Sequence, residues 1–126
     1  MNRITEKMRV GTVGELLVQL RLLEHQVQAA PPIKDSGNDL IAIRGEIFQA
    51  IQVKTTTQEE YSKTNLPELY HILAVVQLVD DQNMIYLDLS SVFLIPRDRV
   101  PGASTRIANL EEFRLNRELV NSLFPR

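Results

Sequence analysis

The chain has no cysteine, so it holds no disulfide, no cysteine-ligated zinc and no thiol nucleophile. Long hydrophobic runs are missing too. Met1 to Arg9 alternates charge with short apolar residues, unlike a secretory leader, and no later segment approaches the length of a membrane span. The expectation is a cytoplasmic chain with no membrane partner. An excess of positive charge is also absent: 14 Lys and Arg face 16 Asp and Glu, the net charge is −2 and the pI is near 5.7. The surface as a whole is therefore not a glove for nucleic acid, and any such contact must be local. The two histidines, His25 and His71, stand without ligand spacing and read as packing or surface residues. There is no internal repeat and no linker.

What is present is a chain of 126 residues, 44% apolar and 24% charged. That is the size and composition of one folded domain over residues 1–126, able to bury about two-thirds of the surface its unfolded form exposes without staples. The cations are ten Arg against four Lys, which makes each lysine worth asking about.

From Thr5 to about Gln28, Met8, Val13, Leu16, Leu17, Leu20 and Leu23 recur at helical spacing. Val18 and Leu22 fall on another side, so more than one face of this helix is expected to be covered. Ala29, Ala30, Pro31 and Pro32 end it, and Lys34 to Asn38 is a turn by composition. The period then changes. Asp39–Arg44 and Ile47–Thr55 are short and rich in branched aliphatics, and Gly45-Glu46 between them is the signature of a type II′ hairpin. Thr56 to Glu68 is polar loop, with a short helical turn expected after Pro67. His71–Val79 and Met84–Asp88 read as a second hairpin around Asp80–Asn83, Val92–Ile95 as a short strand or helical turn, and Leu110–Phe124 as a C-terminal amphipathic helix. Helix, then strands, then helix favours an α+β or mixed α/β sandwich.

The first hairpin brings chemistry together. With a two-residue loop Arg44 pairs with Ile47, and counting outward sets Asp39 opposite Gln52, with β-carbons about 4.5–5.5 Å apart on one face. Lys54, two residues on, shares that face, above Ile41, Ile43, Phe48 and Ala50. The other face carries Leu40, Ala42, Ile51 and Val53, so the pair is expected to be central in its sheet. A carboxylate, an amide and an ammonium at the end of a central strand ask for an ion or a ligand.

Asp39, twelve residues, then Gln52-Val53-Lys54, preceded by a helix bearing Gly14-Glu15, resembles the PD-(D/E)XK nuclease superfamily. It is similar in particular to small homing endonucleases and Holliday junction resolvase-like proteins. The resemblance spans Gly11 to Thr56 and implies a restriction-endonuclease-like fold: a mixed central sheet flanked by an N-terminal and a C-terminal helix. It implies a DNA endonuclease in which Asp39, Gln52, the Val53 carbonyl and Glu15 hold Mg²⁺, or Mn²⁺, and Lys54 positions the attacking water or offsets charge on the phosphate. Thr55, Thr56 and Lys63 would bind flanking phosphates. Cutting both strands at once needs two sites, so a homodimer or larger homo-oligomer is expected. Where the family pattern has an acid, Gln52 is neutral, which weakens cation affinity. Catalysis then leans on Glu15, or has been lost and the chain is an inactive DNA-binding, protein-interaction or regulatory module.

Each residue has a plainer reading. Glu15 lies beside Thr12, Gln19 and Gln26 on one flank and Gly11, Val18 and Leu22 on the other, at the boundary of a solvated stripe. Asp39 serves as a turn residue after Gly37-Asn38, and Lys54 as an edge-strand lysine. Asp35 competes with Asp39 for the metal, although the register does not set it opposite Gln52. Arg97 and Arg99 read as solvated loop, and Tyr61 and Tyr70 as loop and helix-end residues rather than base-stacking ones.

Overall fold

The computed structural model describes residues 4–33, 37–62, 66–102 and 105–126. Helix α1 spans Glu6–Leu23, and the Thr5 hydroxyl caps it by accepting from the Met8 amide at 3.1 Å. It ends five residues earlier than its composition suggests. Gln26 turns the chain at φ 65°, and Gln28–Ala30 becomes β1, an edge strand rather than the frayed end of a helix. Strands β2 (Leu40–Arg44) and β3 (Ile47–Thr56) follow, then β4 (Glu60–Tyr61), β5 (Ile72–Asp81), β6 (Met84–Pro96) and β7 (Thr105–Arg106). A 3₁₀ run over Ile107–Phe113 and helix α2 (Arg117–Leu123) complete the chain. The main sheet is mixed, in the order β1-β2-β3-β5-β6, with β3 parallel to β5 and the other neighbours antiparallel. Strands β4 and β7 pair separately. This is an α+β fold with a five-stranded mixed sheet, an N-terminal helix and a C-terminal helix.

Both hairpins turn where expected. Arg44 pairs with Ile47, and Gly45 has φ +60° while Glu46 does not go positive, the pattern of a type II′ turn that glycine accommodates without a β-carbon clash. Gln82 and Asn83 both have positive φ, so the second turn is of type I′. Its outer strand is longer than expected. Met84–Asp88 and Val92–Ile95 belong to one strand, β6, because an irregularity bridges them: the register slips between Gln77 and Val79. There the Ser90 hydroxyl accepts from the Val79 amide at 2.9 Å and donates to the Tyr86 carbonyl at 2.8 Å, standing in for ladder bonds. No helical turn follows Pro67 among the described residues.

Two cores lie on opposite faces of the sheet. Leu40, Ala42, Ile51, Val53, Ala74 and Leu94 pack with Leu17, Val18 and Leu22 of α1 and with Val120 and Phe124. Leu73, Val75, Phe93 and Ile95 pack on the other side with Tyr61, Tyr70, Ile107, Leu110 and Phe113. This division explains why the C-terminal stretch is not one helix from Leu110 to Phe124. Its first half serves one face and its second half the other, so the chain must cross the sheet edge between them. It does so extended, with Arg114 bridging Phe93 and the Leu115 amide donating to the Val92 carbonyl at 2.9 Å. Asn116 then caps α2 through the Leu119 amide.

The face of α1 that enters the core is also not the one its most prominent spacing suggests. Gly14, Leu17, Val18 and Leu22 are buried, whereas Met8, Leu16, Leu20 and Leu23 lie on the outer side. No helix among the described residues is long and apolar enough to cross a membrane.

Candidate active site

The site begins where β2 and β3 part. The pairs Leu40↔Ile51 through Arg44↔Ile47 put Asp39 and Gln52 at the next step of the register, as counted from the turn. The ladder stops there. The Asp39 amide donates to the Ile51 carbonyl at 3.1 Å, and the Asp39 carboxylate reaches across to accept from the Val53 amide at 2.8 Å. Asp39 thus takes the place of a backbone acceptor at the open end of the pair instead of standing upright beside Gln52. Its carboxylate is fixed by this bond, with lone pairs left to spend.

Helix α1 supplies the second carboxylate. A β-carbon at Gly14 would meet the Thr55 Cβ and Cγ2 at 2.8 Å, with Oγ1 closer still. The helix therefore lies on β3 at a separation only glycine permits, and the next residue, Glu15, is delivered to Asp39. Burial, then the Asp39 charge, then a side-chain hydrogen bond to Asp39 push the Glu15 carboxyl above its usual range. Two carboxyl groups held together, one half-buried, are a disfavoured arrangement unless a proton or a cation sits between them.

Gln52 is the third member. It is 8% exposed, and its Oε1 is buried with no hydrogen-bond partner. Such an acceptor costs about 1–3 kcal/mol if nothing fills it. Gln52 and Lys54 alternate with the core-facing Ile51 and Val53, so they lie on the sheet face away from α1. Because the strands part here, the opening takes in both sides. Glu15, Asp39, Gln52, Val53 and Lys54 line one cleft of about 440 Å³, joined by Glu6, Lys7, Val10, Gly11, Thr55, Thr56 and Thr57. Among the described residues no three His, Cys, Asp or Glu side chains cluster as a metal site. The oxygen set here is two carboxylates, a carboxamide and the Val53 carbonyl position, hard donors of the kind magnesium or manganese takes.

Thr55 turns its side chain towards Gly14 of α1, and the Thr56 hydroxyl accepts from the Gln58 amide at 3.0 Å. Lys63 and Asp35 lie outside the described residues. Lys7 was not anticipated at the cleft. The signal was available, since Lys7, Gly11 and Glu15 follow at intervals of four and share a helix face. Several plain readings hold. His71 Nδ1 accepts from the Ala50 amide at 2.8 Å, and His25 Nδ1 lies 2.9 Å from the Arg21 carbonyl. Tyr61 and Tyr70 are not loop and helix-end residues: Tyr61 lies in β4 and both are buried in the second core, with Arg97 stacked over the Tyr70 ring. Arg97–Arg99 forms a 3₁₀ turn in which Arg99 pairs with Glu112.

No protein-family model matches the sequence, and no curated protein matches it. Among solved structures the chain is similar to a bacterial homing endonuclease, I-Ssp6803I, at a TM-score of 0.66 and 14% identity, covering 96% of this chain and 93% of that one. The likeness is one of fold: that endonuclease is built on the same mixed architecture from end to end.

Proposed function

We propose that the chain is a DNA endonuclease of the PD-(D/E)XK type that hydrolyses phosphodiester bonds with Mg²⁺ or Mn²⁺. The observation that carries this is the unpartnered, buried Oε1 of Gln52 lining the same cleft as the Glu15 and Asp39 carboxyl groups. A buried acceptor with no donor, lining one cleft with two carboxyl groups, of which that of Glu15 is raised above its usual range by burial and by the Asp39 charge, fits a cation. The endonuclease with the same fold supports the reading, as does the Asp39, Gln52-Val53-Lys54 pattern, which structural likeness alone would not supply.

Asp39, Glu15, Gln52 and the Val53 carbonyl would hold the ion. When bound, it supplies an acidified water and polarises the scissile phosphate. The residues do the rest. The Val53 amide fixes the Asp39 carboxylate, the Gly14–Thr55 contact sets Glu15, and Lys54 offers a positive charge where the phosphate gains negative charge in the transition state. Thr55, Thr56 and Lys63 flank the cleft end of β3 in sequence and are assigned to neighbouring phosphates. Its partner is DNA, its compartment the cytoplasm, and the molecule acts as a homodimer or larger homo-oligomer.

Nicking of supercoiled plasmid tests this. The wild type should nick with Mg²⁺ or Mn²⁺ and stop with EDTA, and Lys54→Ala should lose at least a hundredfold, the scale of one transition-state charge contact. Nicking unaffected by EDTA refutes the proposal. One feature favours a second reading, a DNA-binding or protein-interaction module without catalysis: Gln52 is neutral where an acid belongs. That reading predicts plasmid binding without nicking, unaltered by Lys54→Ala.

A further inference from the structure

Helix α1 is apolar on more sides than its own protomer covers. Met8, Leu16, Leu20 and Leu23 are 60, 57, 46 and 59% exposed. With Thr12 and Gln19 they form a stripe about 22 Å long at 1.5 Å per residue, in which Arg9 is the one charged residue and is paired with Glu6. A helix with apolar residues all round is ordinarily buried all round, and here one side has no cover. We propose that this face docks a second copy of the chain, α1 against α1 in antiparallel sense about a two-fold axis near Leu16.

Self-pairing fits this stripe on three counts. The first is charge. Arg9 is paired with Glu6 at 2.9 Å and Arg21 with Glu24 at 2.9 Å, so both flanks are neutral within the protomer and do not repel an identical helix. The second is shape. Beside the stripe lies a notch of about 230 Å³ between α1 and the open edge strand β1, lined by Gln19, Leu20, Leu23, Gln28 and Ala29. It is large enough for a leucine side chain of the other copy, and the two-fold fills both notches at once. The third is area. Four large side chains, each about half exposed, are covered on each copy, and Gln19, Gln28 and Ala29 around the notch add to them, which is the scale of the roughly 1,000 Å² total that separates specific interfaces from chance contacts. The pairing names the partner that the nuclease reading calls for, because two copies carry two clefts, yet it can be measured without nuclease activity.

Light scattering in the micromolar range, without DNA or metal, gives the test. The wild type should run at twice the 14.4 kDa chain mass, and Leu16→Glu and Leu20→Glu at the single mass with unchanged circular dichroism. Phe48→Glu, an exposed apolar position on the hairpin, should remain paired. The absence of cysteine allows a second measurement: Leu16→Cys should oxidise to a covalent dimer, and Phe48→Cys should not. A monomeric wild type, or a Leu16→Glu variant that stays paired, overturns the proposal. So does a monomeric wild type whose plasmid binding falls with Leu16→Glu, which would give the face to DNA. Because nicking and cation binding are measured separately, failure here leaves the nuclease reading standing or falling on its own assays.

Discussion

Two glycines of one helix should respond to alanine with opposite signs. Gly11 and Gly14 both lie inside α1, where Gly→Ala ordinarily stabilises by about 0.5–1 kcal/mol through reduced backbone freedom. At Gly11 a β-carbon meets nothing within 4 Å, so Gly11→Ala should gain that amount. At Gly14 it would meet the Thr55 Cβ and Cγ2 at 2.8 Å and Oγ1 closer, in a buried place where backbone and sheet cannot both stay still. Overpacking of this kind costs about 1–3 kcal/mol. After the propensity gain, Gly14→Ala should be destabilised by about 1–2 kcal/mol, a fall of roughly 3–8 °C in melting temperature. Thermal denaturation followed by circular dichroism reads both. Adding Thr55→Ala removes two of the three clashing atoms, so the double variant should recover part of the loss as a positive coupling. If Gly14→Ala melts at or above the wild type, α1 does not lie on β3 as described, and the account of how Glu15 reaches Asp39 fails.

Glu15→Gln should raise stability while removing cation binding. Its folded-state pKa is raised, so the stability linked to its proton is full below the unfolded value and lost as pH rises through the folded one. The neutral variant escapes that loss, an effect reduced by solvent screening, and its advantage should vanish towards pH 4. Gln52→Glu should tighten Mn²⁺ binding about tenfold by adding a charge and lower metal-free stability by about 1–3 kcal/mol, since a third buried carboxylate joins two others; unchanged affinity by calorimetry would remove Gln52 from the ligand set. Ser90→Ala should cost about 1–2 kcal/mol in urea denaturation, because the Val79 amide and Tyr86 carbonyl at the β6 irregularity lose their shared partner.

The hairpin was legible because its information is local. Gly45-Glu46 fixes the turn, the turn fixes the register, and the register sets Asp39 level with Gln52. The peeling of β2 at Asp39 was not legible, since it depends on a side chain displacing a backbone acceptor. Nor was the buried face of α1. Its apolar residues surround the helix, so periodicity gave Met8, Val13, Leu16, Leu17, Leu20 and Leu23 as one set. Of these, packing took Leu17 and, in part, Val13 into the core with Val18 and Leu22, and left Met8, Leu16, Leu20 and Leu23 outside. The C-terminal stretch misled for a related reason: Leu110 and Phe113 share a helical spacing with Val120 and Leu123, yet Leu110 and Phe113 serve one face of the sheet and Val120 the other. Glu15 was marked by Gly14 before it, and the reason for that glycine, Thr55, lies forty-one positions on.

Titration calorimetry of the metal-free protein with Mn²⁺, wild type against Asp39→Asn, addresses the cation site itself. The wild type should bind at the cleft with release of protons near the raised Glu15 pKa, and Asp39→Asn, which keeps the shape but removes the anchored charge, should bind at least tenfold more weakly. Equal heats and equal affinity in the two proteins, or no binding by either, would contradict the site.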